Sequence, residues 1–522
     1  MKRFLVTLTV ISAAVMELID TSIVNVALSQ MAGNLGATIE DIAWVVTGYA
    51  IANVIIIPMT GFLQQFFGRK NYYLTSIVLF TVASYLCANS TSLWELVFFR
   101  FVQGIGGGAL LSTSQGILYD AWPKEKRGLA SGLFGMGIIV GPTIGPTLGG
   151  YIVEHYSWPL IFTINIPVGI IAFVLTMLYV DRQPAEFNID RSKISIDYIG
   201  ILLLIVGIGS LQTVLEKGES EDWFETAYIV WLTASSAIGL LGFVFWQLSD
   251  RNPNPVLNLR ILKNPSFFFA ILLTFVGGYG LFASIFVFPV LTQRVLGYTA
   301  LESGLELLPG TLVALVVMPI MGRRLSMGTP PKYFIIPGFL FTILYCLWLS
   351  QATPDAGNDF FFWPLLLRGL GAAMLTMPLI QQSIAGIEPR EMPAAISIAN
   401  MIRQLGGAFG IAITNTYVVQ RIAAHRVALI SNVQAGDPLT EQRLQALKQG
   451  LATHVSSALE ATQGAYQRLD GIINQQAALG GYLDSFILTA LFFILAFPFI
   501  FLTRNPAKMS TEQQAKLSES AH

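Results

Sequence analysis

Runs of roughly twenty residues with almost no charge recur along this 522-residue chain, and no other feature narrows its possible folds so far. Residues 198–215, 227–248 and 482–502 show the pattern most plainly. A helix rises about 1.5 Å per residue, so about twenty residues cross the roughly 30 Å hydrocarbon core of a bilayer. Only 12% of the residues are charged and 54% are hydrophobic, whereas soluble domains carry about 25% charge. Most of this surface cannot face water. Fourteen such segments are predicted, with cores near 5–29, 42–63, 72–89, 93–119, 128–152, 158–180, 196–215, 226–248, 267–292, 304–322, 333–350, 360–383, 394–420 and 481–503. The expected fold class is an all-α membrane protein, with the lipid bilayer as its solvent.

The charges between segments orient the chain. Arg69, Lys70, Lys124, Lys126, Arg127, Arg182, Arg191, Lys193, Arg251, Arg260, Lys263, Arg323, Arg324, Lys332 and Arg390 all fall in loops on one side of the predicted membrane. The short loops opposite hold little beyond Lys217 and Arg294, and one of them is acidic through Glu219, Glu221 and Asp222. Basic loops stay cytoplasmic, so both termini are expected there. Lys2 and Arg3 before an apolar run resemble a secretory signal, but Glu17, Asp20 and Asn25 lie inside that run, which reads as a retained first span. A net charge of -1 gives no basic field for nucleic acid. Cys87 and Cys346 sit in apolar segments and read as isolated thiols.

Residues 421–480 break the pattern by turning polar and rich in Gln and Ala. Asp437 before Pro438 suits a helix start, and Leu439, Leu444, Leu447, Leu451, Val455 and Leu459 recur at roughly helical spacing. An amphipathic helical hairpin on the outer face is expected.

Arg100 lies well inside the fourth span, ahead of Gln103, Gly104, Gly106, Gly107 and Gly108. A charge at mid-membrane costs at least about 2.5–3.5 kcal/mol and calls for a partner. Counting the helical rise from each surface puts Asp20 of the first span and Arg100 at nearly one depth, about 20 Å from the cytoplasmic side. Glu17 precedes Asp20 by three residues and shares its helix face. Two acids and a base form a cluster suited to proton binding, because the arginine favours the charged carboxylate while burial and the second acid favour the neutral one. A static ion pair locking two helices is the alternative. The fifth span carries Gly137, Gly141, Gly145 and Gly149 at every fourth position, with Pro142, Pro146 and Gly150 beside them. This spacing lets helix backbones touch, and the prolines are expected to bend the segment. Between spans two and three, Gly61, Gly68, Arg69 and Lys70 frame a tight basic turn.

Taken together, these segments and the run 18–28 of the first span resemble the motif set of the major facilitator superfamily, in particular its fourteen-span drug:proton antiporters of the EmrB/QacA type. The resemblance covers essentially the whole chain. It implies two six-helix halves with spans seven and eight inserted: residues 1–180, an inserted pair within 181–265, residues 266–503 including an outer segment at 421–480, and a cytoplasmic tail at 504–522. It further implies that residues 141–150 are the motif of exporters, that Asp20 is the acidic position of the fourteen-span branch, and that Arg100 is the arginine of proton coupling. Gln65 stands where many members carry Asp, which puts the charge relay of that loop in doubt. Glu17 lies outside the family pattern, and its expected role as a second acid or a contact for cationic substrates comes from spacing alone.

An internal echo agrees with two halves. Arg368 with Gly369 and Gly371 repeats Arg100 with its glycines, and Arg403 with Gly406, Gly407 and Gly410 repeats the fifth span. The second half has no acid inside its first span, so Arg368 and Arg403 have no obvious carboxylate partner and are expected to serve substrate or gating roles. Gly104-x-Gly106-x-x-Ala109 mimics a dinucleotide fingerprint but lies within a predicted membrane helix, and no Walker loop, His-Glu-x-x-His or Gly-x-Ser-x-Gly occurs. No cofactor is expected, and energy should come from an ion gradient. The expected function is export of small hydrophobic or amphiphilic compounds across the inner membrane in exchange for protons. The resemblance also implies a periplasmic adaptor and an outer-membrane channel as partners. Export of one physiological compound, such as a siderophore or fatty acid, is the alternative within transport; an intramembrane enzyme or receptor is the alternative outside it.

Overall fold

Each apolar run satisfies its own backbone by coiling into a helix, and among the described residues fourteen helices are long and apolar enough to cross a membrane. The structure is a computed structural model that describes residues 2–123, 126–181, 196–385, 387, 391–434, 436–452 and 457–503. The basic residues Lys124, Arg182, Arg191, Lys193 and Arg390, together with Val455 and the tail 504–522, lie outside the described residues.

The first six spans are α1 Lys2–Leu35, α2 Trp44–Phe67, α3 Arg69–Ala88, α4 Leu93–Ala121, α5 Arg127–His155 and α6 Asn165–Tyr179, the last preceded by the short turn Leu160–Thr163. Next come α7 Tyr198–Lys217 and α8 Ala227–Leu248. The last six are α9 Pro265–Arg294, α10 Leu308–Ser326, α11 Lys332–Leu349, α12 Asn358–Ile384, α13 Met392–Ser431 and α14 Ala458–Ala496. Among the described residues every regular element is a helix.

The packing repeats with an offset of eight helices. In the first set α1 lies on α5 and α6, and α4 lies on α2 and α3; in the last set α9 lies on α13 and α14, and α12 lies on α10 and α11. Glycines make the same contacts in both sets. A Cβ on Gly106 of α4 would fall 2.8 Å from the Phe80 nitrogen of α3, and one on Gly371 of α12 would meet Gly338 and Thr342 of α11. The two sets meet where α2 packs on α13 and α5 packs on α10. The pair α7 and α8 flanks this seam beside α2, and the turn after α7 reaches α13 through Trp223 Nε1 to Thr416 (3.1 Å) and Asn415 Nδ2 to Glu219 (2.9 Å).

Helix α5 runs unbroken from Arg127 to His155 with Pro142 and Pro146 inside it. One expectation needs correction. The outer segment is not a separate hairpin. Helix α13 continues to Ser431 and α14 already starts at Ala458, so two membrane helices project beyond the bilayer and the helix Pro438–Ala452 packs on α14 between them. The 40 residues of α13 give about 60 Å of helix against a core of about 30 Å. Asp437 does start the outer helix, its carboxylate accepting from the Thr440 nitrogen at 2.8 Å.

Candidate functional site

Helix α1 carries both acids into the interior, where Asp20 is fully buried and Glu17 nearly so. Asp20 Oδ2 accepts from Arg100 Nη1 of α4 at 2.5 Å. Its Oδ1 accepts from Gln103 Nε2 at 2.9 Å and from Asn165 Nδ2 at 2.6 Å, the latter reaching in from the start of α6. Arg100 also bonds α2 and its own helix: Nε donates to the Val45 carbonyl of α2 at 3.3 Å, and Nη1 donates a second time, to Gln103 Oε1 at 2.7 Å. Its guanidinium carbon lies 4.2 Å from the centre of the Tyr49 ring, a cation–π contact. These contacts offset part of the cost of holding a charged pair away from water.

Glu17 does not join this pair, contrary to the expected cluster of two acids on one base. Three residues turn a helix through about 300°, so the two carboxylates diverge by about 60°. Glu17 Oε1 accepts from Asn53 Nδ2 at 3.1 Å and from the Tyr49 hydroxyl at 3.3 Å, both on α2, while Oε2 has no hydrogen-bond partner among the described residues. Tyr49 therefore links the acids, its ring under Arg100 and its hydroxyl on Glu17. The opposite charge that acts on Glu17 is Arg403 of α13 in the other set. Arg403 is buried, and among the described residues its Nε has no hydrogen-bond partner and no carboxylate forms an ion pair with it. The acid that acts on it electrostatically is Glu17, from across the seam. Arg368 remains without a carboxylate among the described residues; its Nε donates to Ser284 Oγ at 3.2 Å.

The glycines of α5 are spent mostly on α1. Cβ atoms on Gly137, Gly141, Gly145 and Gly149 would strike Val15, Leu18, Ser22 and Ile23 in turn, so this face seats the helix that carries Asp20. Gly150 stands apart, with only Val26 at 4.0 Å. The loop motif also differs from a simple basic anchor. Gly68 turns the chain at φ +80°, which favours glycine, and Arg69 then points inward. Its guanidinium pairs with Asp120 at the end of α4 and bonds Gln64 Oε1 at 2.9 Å and the Gly116 carbonyl at 3.2 Å. Lys70 Nζ donates to the Met177 carbonyl at 2.8 Å, Gly61 approaches Ala394 across the seam, and Gln65 is exposed. Sequence reasoning missed Tyr49, Asn53, Asp120 and Asn165. Asn53 and Asn165 carried a signal, being amides inside apolar runs.

A bundle of two repeated helix sets, with charges buried at mid-depth and beside the seam, is the architecture of a secondary transporter. Residues 10–411 match the Major Facilitator Superfamily. The chain is 32% identical over 500 residues to the multidrug export protein EmrB of Escherichia coli (strain K12), covering 95% of this chain and 94% of that one. It is 30% identical over 507 residues to the fatty acid resistance protein FarB of Neisseria gonorrhoeae, covering 96% of each. The crystal structure of the human organic anion transporter MFSD10 (TETRAN) overlays with a TM-score of 0.58 at 13% identity, covering 94% of this chain and 99% of that one, a likeness of fold. The chain belongs to the major facilitator superfamily. It is a multi-pass membrane transporter and not an enzyme, with EmrB-type multidrug exporters among its relatives.

Proposed function

We propose that this chain is a proton-coupled antiporter that exports hydrophobic or amphiphilic compounds across an inner membrane, with both termini cytoplasmic and Asp20 as its principal protonation site. The observation that carries this reading is the buried Asp20–Arg100 pair with Tyr49 joining it to Glu17. Protonating Asp20 removes the anion that balances Arg100 and leaves a buried cation seeking an acceptor. Glu17 Oε2 is the open carboxylate oxygen nearby. As Arg100 turns to it, the negative charge that Glu17 presents toward Arg403 is offset, and the attraction between α1 and α13 weakens. Proton arrival in one set thereby loosens the seam between sets, which alternating access requires. The test is Asp20→Asn in proteoliposomes, where the amide keeps the shape but cannot cycle a proton. Substrate-coupled proton movement should fall at least tenfold with expression near normal; wild-type exchange would leave the pair a static lock between helices.

The relative named for fatty acid resistance favours a second reading, export of one physiological amphiphile. Competition among chemically distinct substrates separates the two. We further propose that residues 421–480 dock a periplasmic adaptor leading to an outer-membrane channel. What supports this is a three-helix projection with exposed apolar side chains, Val427, Leu439 and Leu459 among them, beyond the length that lipid can cover.

A further inference from the structure

Where the two helix sets meet on α5 and α10, positive charge collects with no acid to answer it. The backbones of these helices touch at Gly128 and Gly322: a Cβ on Gly128 would fall 2.5 Å from the Gly322 carbonyl oxygen, and the Leu129 nitrogen donates to Ser326 Oγ at 3.0 Å. Arg127 precedes the first glycine, and Arg323 and Arg324 follow the second, so the contact brings guanidinium groups of both sets together. With successive Cα atoms about 3.8 Å apart, the Arg127 and Arg323 backbones lie within about 14 Å of each other. Lys126 stands before Arg127, and Lys332 opens α11 after a short turn. Phe334, two residues further on, packs with Met136 of α5 and Val317 of α10 around Met318 and Met321.

These bases differ from others at the same end of the bundle. Arg69 pairs with Asp120 and Arg260 with Asp250, whereas none of Lys126, Arg127, Arg323, Arg324 and Lys332 forms an ion pair with any described carboxylate. Lys124 and Glu125, outside the described residues, add no net charge. Arg127 places its Nε on the Tyr119 carbonyl at 2.9 Å, and its terminal nitrogens donate to nothing described. Like charges held this close repel, and an anion between them relieves the repulsion. Position along α10 says where that anion comes from. Leu312, Val316 and Ile320 recur at every fourth residue and are each more than half exposed, which marks the row that lipid covers, and Arg324 is next in that row. A guanidinium ending a lipid-facing row sits at head-group depth, and the exposed Tyr333 ring is an interfacial side chain beside it. Its parallel N–H donors fit a phosphate.

We propose that the start of α5 and the end of α10 form a binding site for an anionic phospholipid of the adjoining leaflet, its phosphate held between Arg127 of the first set and Arg323 and Arg324 of the second. The lipid spans the seam, so it binds best when α5 and α10 are closed on each other and is released as they part. By the same differential affinity it favours the conformation closed at this end. The inference goes beyond the reading of the chain as an exporter. It rests on the proposed orientation only in assigning the site to the cytoplasmic leaflet, and lipid binding in micelles tests it without transport or orientation.

Full-length protein in neutral detergent would be titrated with phosphatidylglycerol or phosphatidylcholine of equal chain length, and the bound lipid counted by native mass spectrometry. Phosphatidylglycerol should bind at least tenfold more tightly than phosphatidylcholine. The double variant Arg323→Gln, Arg324→Gln should reduce that preference to less than twofold, whereas Arg251→Gln with Arg260→Gln, at the join of α8 and α9, should leave it intact. An equal loss in both double variants would mean a diffuse basic fringe and overturns the site, as does an undiminished preference in the first. Displacement of the lipid by millimolar inorganic phosphate would make this a site for free anions and refute the lipid assignment. Should the first double variant fail to fold, Lys126→Gln with Lys332→Gln is read the same way. For the seam, cysteines at Ser131 and Gln381 in a background without Cys87 and Cys346 should cross-link at least threefold faster in nanodiscs of phosphatidylglycerol than of phosphatidylcholine, and Arg323→Gln, Arg324→Gln should erase the difference. Equal rates in the two lipids refute the bridging role. Loss of coupling in Asp20→Asn with lipid preference intact would separate this site from the proton site.

Discussion

Glu17 is held by its neutral partners Asn53 and Tyr49 and acts electrostatically on Arg403, so its substitution separates shape from charge. Glu17→Gln keeps an oxygen for the two donors and removes only the charge that draws on Arg403. Transport by reconstituted protein should slow about tenfold or more for neutral and cationic compounds alike, with insertion unaffected. A loss confined to cations would make Glu17 a substrate contact instead. The meeting of Asp20 with Arg100 was legible in the sequence because helical rise fixes depth, and depth alone was enough to pair them. The partnership of Glu17 with Arg403 was not legible. Rise says nothing about which helices adjoin, and a search confined to the second half could not find an acid that comes from the first. Asp120 escaped for a related reason: Arg69 reads as a surface anchor until Gly68 turns it inward.

At the level of single helices, α5 offers a contrast within one motif. Gly145 has Ser22 of α1 immediately against it, and Gly150 has nothing nearer than 4.0 Å. Gly145→Leu is expected to block transport without preventing insertion, while Gly150→Ala should transport at near wild-type rate; similar behaviour of the two would remove the packing argument. A second prediction concerns the join of α7 and α8. Burial of Asp197 works against its charge, but hydrogen bonds from Trp246, the Gly200 nitrogen, Asn252 and Gln247 outweigh it and hold the carboxyl below the usual carboxylate range. A depressed folded value means the stabilisation is present above the unfolded value of about 3.9 and is lost as pH falls through the folded value. Asp197→Asn should therefore lower the unfolding temperature in detergent at pH 7, and the gap to wild type should narrow only in strong acid. A gap that stays constant down to pH 2 would contradict this role. Nothing in the local sequence announced Asp197, because its partners Trp246, Gln247 and Asn252 lie some fifty residues away. In the outer segment, helical spacing finds the helix over Leu439, Leu444, Leu447 and Leu451, but polarity hides the continuation of α13 and α14 into that segment.

For the whole molecule, the hydrogen bonds between the two sets define a conformation. Asn400 donates to Ser112 and Gln115 at 3.2 Å, Gln381 donates to Ser131 at 3.1 Å, and the Leu129 nitrogen donates to Ser326 at 3.0 Å. All these contacts lie toward the end of the bundle where α1 begins, so that end is closed. Cysteines placed at Ser131 and Gln381, in a background without Cys87 and Cys346, should cross-link through a short bifunctional thiol reagent and stop transport. Transport that persists after complete cross-linking would mean the seam need not open there. The central claim is that one buried carboxylate carries the coupling proton, and substrate-driven proton flux in sealed proteoliposomes tests it most directly. With an imposed pH gradient and an exported dye, wild-type protein should move protons in step with the dye, and Asp20→Asn should bind the dye but move protons at least tenfold more slowly. Proton flux in Asp20→Asn equal to wild type would contradict the account.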